Sequence, residues 1–288
     1  MDAGSCAGKP GAPLPTTWAR NLPTVSWRPA PTHCSTMPEP LSGLRIVVTR
    51  PRDQAQAFAA RLEAAGATTI LFPTIRIAPP RDTAPLDASL ARLPSYDRVI
   101  FTSVNGVRHV ARRLQALGLT FPDDLPVAAI GPATAAALRR LGLTPDLVPE
   151  DYVAEAIAEG LGDVNGRAIL LPRADIAREA LARLLRERGA RVDEVVAYHT
   201  LPDRPEPGAR HALEAGVDVL TFTSSSTVRN FVALLGEQAL RIASGAVVAC
   251  IGPITAGTAR NLGLTPDVIA RTYTTEGLLE ALIDHFAD

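Results

Sequence analysis

TFTSSSTVRNFVALL, Thr221 to Leu235, and CIGPITAGTARNLGLTPD, Cys250 to Asp267, are the stretches that decide the fold. Each begins as an apolar run typical of a buried strand, passes through small hydroxyl or Gly-Pro residues, and continues with the spacing of a helix. The same pattern occurs earlier, as IFTSVNGVRHVARRL and AIGPATAAALRRLGLTPD, at one constant offset of 121 positions. A spacing that is kept through strands, loops and helices predicts two copies of one structural unit.

A second repeated block extends this duplication over most of the chain. GLRIVVTRP, Gly43 to Pro51, opens a strand–helix–strand unit, and its later copy begins at Gly166, at an offset of 123 positions. The run ATTILFPTIRI, Ala67 to Ile77, is predicted as the second strand of the first unit, interrupted at Pro73. Ile75 corresponds to Tyr198 in the later copy, so an aliphatic side chain in one copy is replaced by a phenol in the other.

Strands and helices alternate through both copies. The pattern predicts a strand over Asp97–Thr102, a helix over Val104–Leu117, and equivalent pairs in the other copy. Short, Val/Ile/Leu-rich strands separated by helices are typical of parallel sheets that are covered on both faces. We therefore predict the α/β class, with each copy forming a doubly wound parallel sheet of about five strands.

Composition excludes several classes of function. Apolar residues make up 47% of the chain and the net charge is −1, without the basic surface of a nucleic-acid-binding protein. No apolar run is long enough to cross a bilayer, so we expect no membrane partner. The sparse cysteines, Cys6, Cys34 and Cys250, favour a reducing cytoplasm over a disulfide framework, and the pattern around Cys250 indicates a small buried side chain.

The N-terminal residues 1–42 differ from the rest. They are rich in proline, hold both tryptophans and show no periodicity, which predicts a disordered extension. They contain no apolar segment of a secretory signal. A physiological start at Met37, directly ahead of PEPLSGLRIVVTRP, is an alternative that the sequence leaves open.

The predicted strand ends carry a consistent chemistry. In open parallel sheets, ligands bind beyond the carboxyl ends of the strands, where free N–H groups of helix N-termini attract anions. Hydroxyl groups and two equivalent arginines lie at these turns, and the candidate substrate-binding residues are Arg50, Thr102, Ser103, Arg173, Ser224, Ser225 and Thr255. These turns predict a cleft for a ligand with several carboxylates or phosphates.

Other interpretations of the same residues remain open. Ser and Thr at helix starts are ordinary N-caps, and an arginine in a loop is often only solvated. The chain has no GxGxxG after a strand, no GxxxxGK[ST], no GxSxG and no HExxH. We therefore expect no cofactor and no metal, and a catalyst that positions a reactive substrate and moves protons.

The two FTSxxxV segments, the two IGPxTAxxxxxxG segments and the VVAYHT segment that ends at Thr200 resemble the uroporphyrinogen-III synthase family. The resemblance covers residues 43 to 288. It implies a lyase that cyclises the linear tetrapyrrole hydroxymethylbilane to uroporphyrinogen III, inverting the last ring with loss of water and without a cofactor. This reaction belongs to haem biosynthesis and related routes. The substrate carries acetate and propionate groups, and their carboxylates suit an anion-binding cleft.

The resemblance also implies an architecture. Family members have two flavodoxin-like α/β domains joined by a two-stranded β-ladder, usually as a monomer. Because the chain crosses twice, one domain would comprise residues 43–74 and 203–288 and the other residues 75–202. Pro73 and the run LPDRPEPG, Leu201 to Gly208, lie at the two crossings.

Tyr198 is the candidate catalytic residue. It matches the tyrosine of the family's motif, and its phenol would donate a proton to the departing hydroxyl of the substrate. The family's hydroxyl contacts fall on Thr102, Ser224 and Thr255. His199 should face the other side of the strand, so we leave it out of the site.

Two other functions fit the same pattern. A two-domain binding or sensor protein for a polyanionic small molecule would share the cleft but need no acid at Tyr198. A regulatory module of the same fold would be joined to a DNA-binding domain, and we expect none because no residues for one follow Phe286.

Overall fold

A computed structural model describes residues 39–177 and 179–287. Most of the predicted disordered extension, and both possible start residues, lie outside the described residues. Residues 39–42 of that extension are described. Leu41 is completely buried, and its backbone N–H donates to the Ala65 carbonyl at 2.8 Å. No helix in the described part of the chain is long and apolar enough to cross a membrane.

The described residues form ten strands and eleven α-helices. The strands are β1 (Arg45–Val48), β2 (Thr68–Leu71), β3 (Ile75–Ala78), β4 (Arg98–Phe101), β5 (Val127–Ala129), β6 (Ala168–Ala174), β7 (Arg191–Pro202), β8 (Val219–Phe222), β9 (Val247–Cys250) and β10 (Val268–Ile269). The helices are α1 (Arg52–Ala64), α2 (Ala84–Ala91), α3 (Val104–Leu117), α4 (Pro132–Arg139), α5 (Ala154–Gly160), α6 (Ala180–Glu187), α7 (Pro207–Glu214), α8 (Ser225–Leu235), α9 (Glu237–Ser244), α10 (Pro253–Asn261) and α11 (Thr275–Ala287).

The strands form two five-stranded sheets, which confirms the α/β class and the parallel sheets. Sheet one has the order β10-β9-β8-β1-β2 and is parallel throughout. Sheet two has the order β3-β7-β6-β4-β5 and is parallel except at its β3 edge. Each sheet therefore combines strands from both copies of the repeat.

The predicted strand over residues 67–77 is two strands in two different sheets. β2 pairs with β1 in sheet one, whereas β3 pairs antiparallel with the end of β7, with Ile75 opposite Pro202. Pro73 lies between them and has no N–H to donate, so a continuous ladder cannot pass through it. β3 and the end of β7 thus form an antiparallel pair at the edge of sheet two.

The core lies on both faces of each sheet because successive strand residues point to opposite sides. In β1, Val47 packs with Phe222 and Phe231 on one face, and Ile46 and Val48 pack with Phe58 on the other. Apolar residues at consecutive positions are thus required by two-sided burial. Burial of both faces holds each sheet in place. The carboxyl ends of the strands lie outside these buried faces and are available to form a site.

Candidate functional site

A cavity of about 790 Å³ lies at the carboxyl ends of the strands. Its lining comes from both sheets: the turns after β1, β4, β5, β8 and β9, the β3–β7 ladder, and the segments that lead into α5 and α11. The volume falls within the range of roughly 300–1,000 Å³ typical of small-molecule sites. Placement beyond the strand ends is the position at which open parallel sheets bind ligands.

The structure brings most of the predicted site residues together. Seven of the eight line this cavity: Arg50, Thr102, Ser103, Tyr198, Ser224, Ser225 and Thr255. Arg173 does not, and neither does His199, whose Nδ1 lies 2.8 Å from Asp175 Oδ2. The residues converge because both copies of the repeat place their turns at the same edge.

Two of the predicted serines cap helices at equivalent positions. Ser103 Oγ accepts from the Gly106 N–H at 3.0 Å at the start of α3. Ser224 Oγ accepts from the Thr227 N–H at 3.3 Å at the start of α8, and Thr227 Oγ1 accepts from the Ser224 N–H. N-capping, the alternative interpretation of these serines, is therefore correct for both, and both also line the cavity.

Replacing Ser224 with alanine should lower the free energy of unfolding by about 1 kcal/mol, because it removes the side-chain cap of α8. Urea denaturation followed by circular dichroism measures this. Ser226→Ala is the matched control, since the cap of α8 comes from Ser224 and Asn230 donates to the backbone carbonyl of Ser226, which the substitution keeps. Its change should be smaller. Equal stability of the two variants would contradict the capping role.

Arg50 is a half-buried cation without a carboxylate partner in residues 39–177 and 179–287. Its Nη2 donates to Gln54 Oε1 at 2.9 Å, but its Nε is buried and unpaired. Burial, and then the nearby Arg108 charge, lower the pKa of Arg50 from its ordinary value, although a guanidinium stays protonated at neutral pH. The Arg50 side chain lines the cavity, and a cation there without a carboxylate partner is suited to an anionic ligand.

Arg173 occupies the equivalent sequence position but a different environment. It lies within β6, is 8% exposed, and forms an ion pair with Glu194 of the adjacent strand β7. It also donates to the Ala177 carbonyl. Glu194 offsets the Arg173 charge, although the buried Nη1 has no hydrogen-bond partner within the described residues. The side chain does not line the cavity, so the geometry gives no support to the prediction that Arg173 binds a ligand.

Tyr198 is 6% exposed and its hydroxyl lies 2.9 Å from Ser103 Oγ. Burial raises the pKa of the Tyr198 phenol, and the Ser103 hydrogen bond only partly opposes this shift. The ring stacks on His109 of α3, with centroids 5.6 Å apart. These contacts hold a protonated phenol in a fixed position on the cavity wall.

Two further tyrosines meet between the copies. Tyr152 packs on Gly131 and Tyr273 packs on the equivalent Gly252; a side chain at either glycine would crowd the ring. The two rings contact each other edge to face, with centroids 5.0 Å apart. Both tyrosines line the cavity. Their contact therefore joins the side of the cavity formed by sheet one to the side formed by sheet two.

Sequence reasoning missed two amides in the site. Gln54 Nε2 of α1 donates to Asn105 Oδ1 of α3 at 3.0 Å. This hydrogen bond connects the helix that follows β1 with the helix that follows β4. An amide on a polar helix face gives no signal by itself. Comparison of the two copies gives a signal, because the positions equivalent to Gln54 and Asn105 hold Ala177 and Ser226, which have no amide.

Fold and site together define a two-sheet α/β protein with a hydroxyl-lined cavity at the strand ends of both sheets. The family model "Uroporphyrinogen-III synthase HemD" matches residues 56–280. The chain belongs to this uroporphyrinogen-III synthase family, whose members are cyclising enzymes of the lyase class.

Individual relatives agree with this assignment. The chain is 37% identical to the uroporphyrinogen-III synthase of Synechococcus elongatus over 254 residues, covering 85% of this chain and 96% of the relative. It is 33% identical to a putative uroporphyrinogen-III synthase of Methanothermobacter thermautotrophicus, with 82% and 96% covered. A mutant uroporphyrinogen III synthase of Thermus thermophilus shares the fold, with a TM-score of 0.63 at 24% identity over 85% of this chain and 98% of the other.

Proposed function

We propose that this chain converts hydroxymethylbilane to uroporphyrinogen III in the cavity between its two sheets. The main support is that the Arg50 guanidinium, which has no carboxylate partner in the described residues, lines the same cavity as the buried Tyr198 phenol. The substrate carries carboxylates, which guanidinium and hydroxyl groups bind well. Its chemistry needs a proton donor at the leaving hydroxyl and a chain held in one conformation.

Tyr198 is proposed as that proton donor. Ser103 Oγ accepts from the Gly106 N–H and can donate its own hydrogen to the Tyr198 oxygen, which leaves the phenol hydrogen free for the substrate. Such a chain of donors polarises each successive group and favours donation by the last one. Thr102, Ser224, Ser225 and Thr255 are proposed to orient the substrate by hydrogen bonds.

Ring inversion follows from this arrangement. Departure of the protonated hydroxyl leaves a cationic azafulvene, which the substituted carbon of the terminal pyrrole attacks. The resulting spiro intermediate fragments and recloses with that ring inverted, and the proton released as the pyrrole is restored returns to the Tyr198 phenolate. The protein contributes orientation through its carboxylate contacts, so release of the bilane into water would favour the uninverted product.

We also propose the finer architecture implied by the family. Residues 43–74 with 203–288 would be one flavodoxin-like domain and residues 75–202 the other, joined by β3 and β7. Sheet membership supports this, since β1, β2 and β8–β10 share one sheet. A complete cleft within one chain supports a monomer, which sedimentation can test.

Incubation with freshly prepared hydroxymethylbilane tests the function. We expect type III uroporphyrinogen as the main product, separated from type I by chromatography after oxidation. The spontaneous reaction without protein, which gives type I, is the control. Type I alone in the presence of the folded protein would overturn the proposal and favour a binding or sensor role.

A further inference from the structure

The hydrogen bonds between Arg50, Gln54 and Asn105 have only one possible direction. A guanidinium can donate but cannot accept, so Gln54 must present Oε1 to Arg50 Nη2 at 2.9 Å. The Gln54 amide nitrogen therefore faces Asn105 and donates to its Oδ1 at 3.0 Å. This orientation in turn fixes the Asn105 amide, whose Nδ2 forms no hydrogen bond with the described part of the chain.

The result is a pair of available donors held by one amide. Within the described part of the chain Arg50 forms a side-chain hydrogen bond only through Nη2, and Asn105 has a free Nδ2. All three side chains line the same cavity. Arg50 and Gln54 follow β1 of sheet one, whereas Asn105 follows β4 of sheet two, so the donors lie on opposite sides of the cleft.

The surrounding charges favour an anion between these donors. Arg108 of α3 lies close enough to disfavour the Arg50 charge, and Asp53 and Glu276 are the acidic groups that act on Arg50. Glu276 forms its ion pair with Arg61 instead. No carboxylate in residues 39–177 and 179–287 forms an ion pair with Arg50, so its charge is left for a ligand.

We propose that Arg50, Gln54 and Asn105 form one subsite that binds a side-chain carboxylate of the linear tetrapyrrole from both sides of the cleft. This inference rests on the proposed function. Arg50 and Asn105 donate to the carboxylate, and Gln54 is a positioning residue that links them. The second copy has Ala177 and Ser226 at the equivalent amide positions, so the subsite is asymmetric and can select which end of the substrate it holds.

Asn105→Asp tests the subsite most directly. The aspartate keeps an acceptor for Gln54 Nε2 but replaces the free donor with a negative charge, so we expect KM for hydroxymethylbilane to rise about ten-fold or more. Because the reacting atoms are untouched, kcat should change less than two-fold or so. Gln54→Met removes the hydrogen bonds to Arg50 and Asn105 and should raise KM about three-fold. Gln54→Glu keeps an acceptor for Arg50, but its carboxylate neutralises the Arg50 charge, so KM should rise further than in Gln54→Met.

Asn165→Asp is the charge-matched control, since Asn165 is exposed and does not line the cavity. Its KM should equal that of the wild type. Thermal melting establishes that each variant is folded, and Gln54→Met provides the test if Asn105→Asp is not. An unchanged KM in both Asn105→Asp and Gln54→Met, with type III product from the wild type, would overturn the subsite alone. Type I product from the wild type would instead overturn the proposed function, and the subsite with it.

Discussion

Tyr198→Phe should lower kcat for type III product about 100-fold, within the range by which a positioned general acid accelerates reactions. The substitution removes one oxygen and keeps the ring that stacks on His109. The Ser103 hydroxyl retains the Gly106 N–H as its donor, so the loss in the free energy of unfolding should be only about 1 kcal/mol. Initial rates and urea denaturation measure the two quantities separately.

Tyr96→Phe is the matched control. Tyr96 is also a buried tyrosine, 7% exposed, whose hydroxyl donates to Asp193 Oδ2 at 2.7 Å, but it lies outside the cavity lining. Its loss should reduce stability by a similar amount and leave kcat unchanged. Full activity of Tyr198→Phe would remove the phenol from the mechanism, and equal loss in both variants would indicate a stability effect.

The pKa of Tyr198 also predicts a pH dependence. Burial raises the pKa above the ordinary tyrosine value of about 10. Proton donation requires the protonated phenol, so activity supported by Tyr198 is present at neutral pH and is lost only as pH rises through the raised pKa. We expect no decline of kcat from this group between about pH 7 and 9.

Most of the fold could be predicted because it depends on local patterns. Apolar runs, strand-end hydroxyls and the repeat offset identified the elements and the edge at which the site lies. The split at Pro73 was harder. Local signals mark a break there, but only tertiary pairing decides that β3 joins β7 rather than sheet one.

The relative placement of the two sheets limited prediction of the site. Tyr152 and Tyr273 are recognisable as equivalent positions, yet their contact depends on how the sheets face each other. The same applies to Gln54 and Asn105. Contacts between elements that are distant in the chain are set by packing, which the periodicity of one segment does not encode.

The different environments of Arg50 and Arg173 do have a sequence signal. β1 pairs with β2 so that Val48 lies beside Leu71, and β6 pairs with β7 so that Leu171 lies beside Glu194. Leu71 and Glu194 are therefore equivalent in the repeat. The second copy therefore has a carboxylate at this position, which pairs with Arg173, and the first copy has an apolar side chain that cannot form an ion pair.

This difference predicts opposite effects for the same substitution. Arg50→Met should raise KM for hydroxymethylbilane by about 10- to 100-fold, the loss expected for a charge-assisted hydrogen bond to a carboxylate. Its free energy of unfolding should change by no more than about 1 kcal/mol, because one hydrogen bond to Gln54 is lost while a desolvated charge is removed.

Arg173→Met should instead reduce stability by about 2 to 4 kcal/mol, because it leaves Glu194 partly buried without its partner. Arg186, whose Nη1 lies 2.8 Å from Glu194 Oε1, limits this loss by keeping one ion pair. The KM of the folded Arg173→Met protein should match the wild type, since the side chain lies off the cavity. Steady-state kinetics below the melting transition and urea denaturation of both variants provide the comparison. If Arg173→Met raised KM as much as Arg50→Met, the two arginines would act alike despite their different partners, and the assignment of ligand binding to Arg50 alone would be wrong.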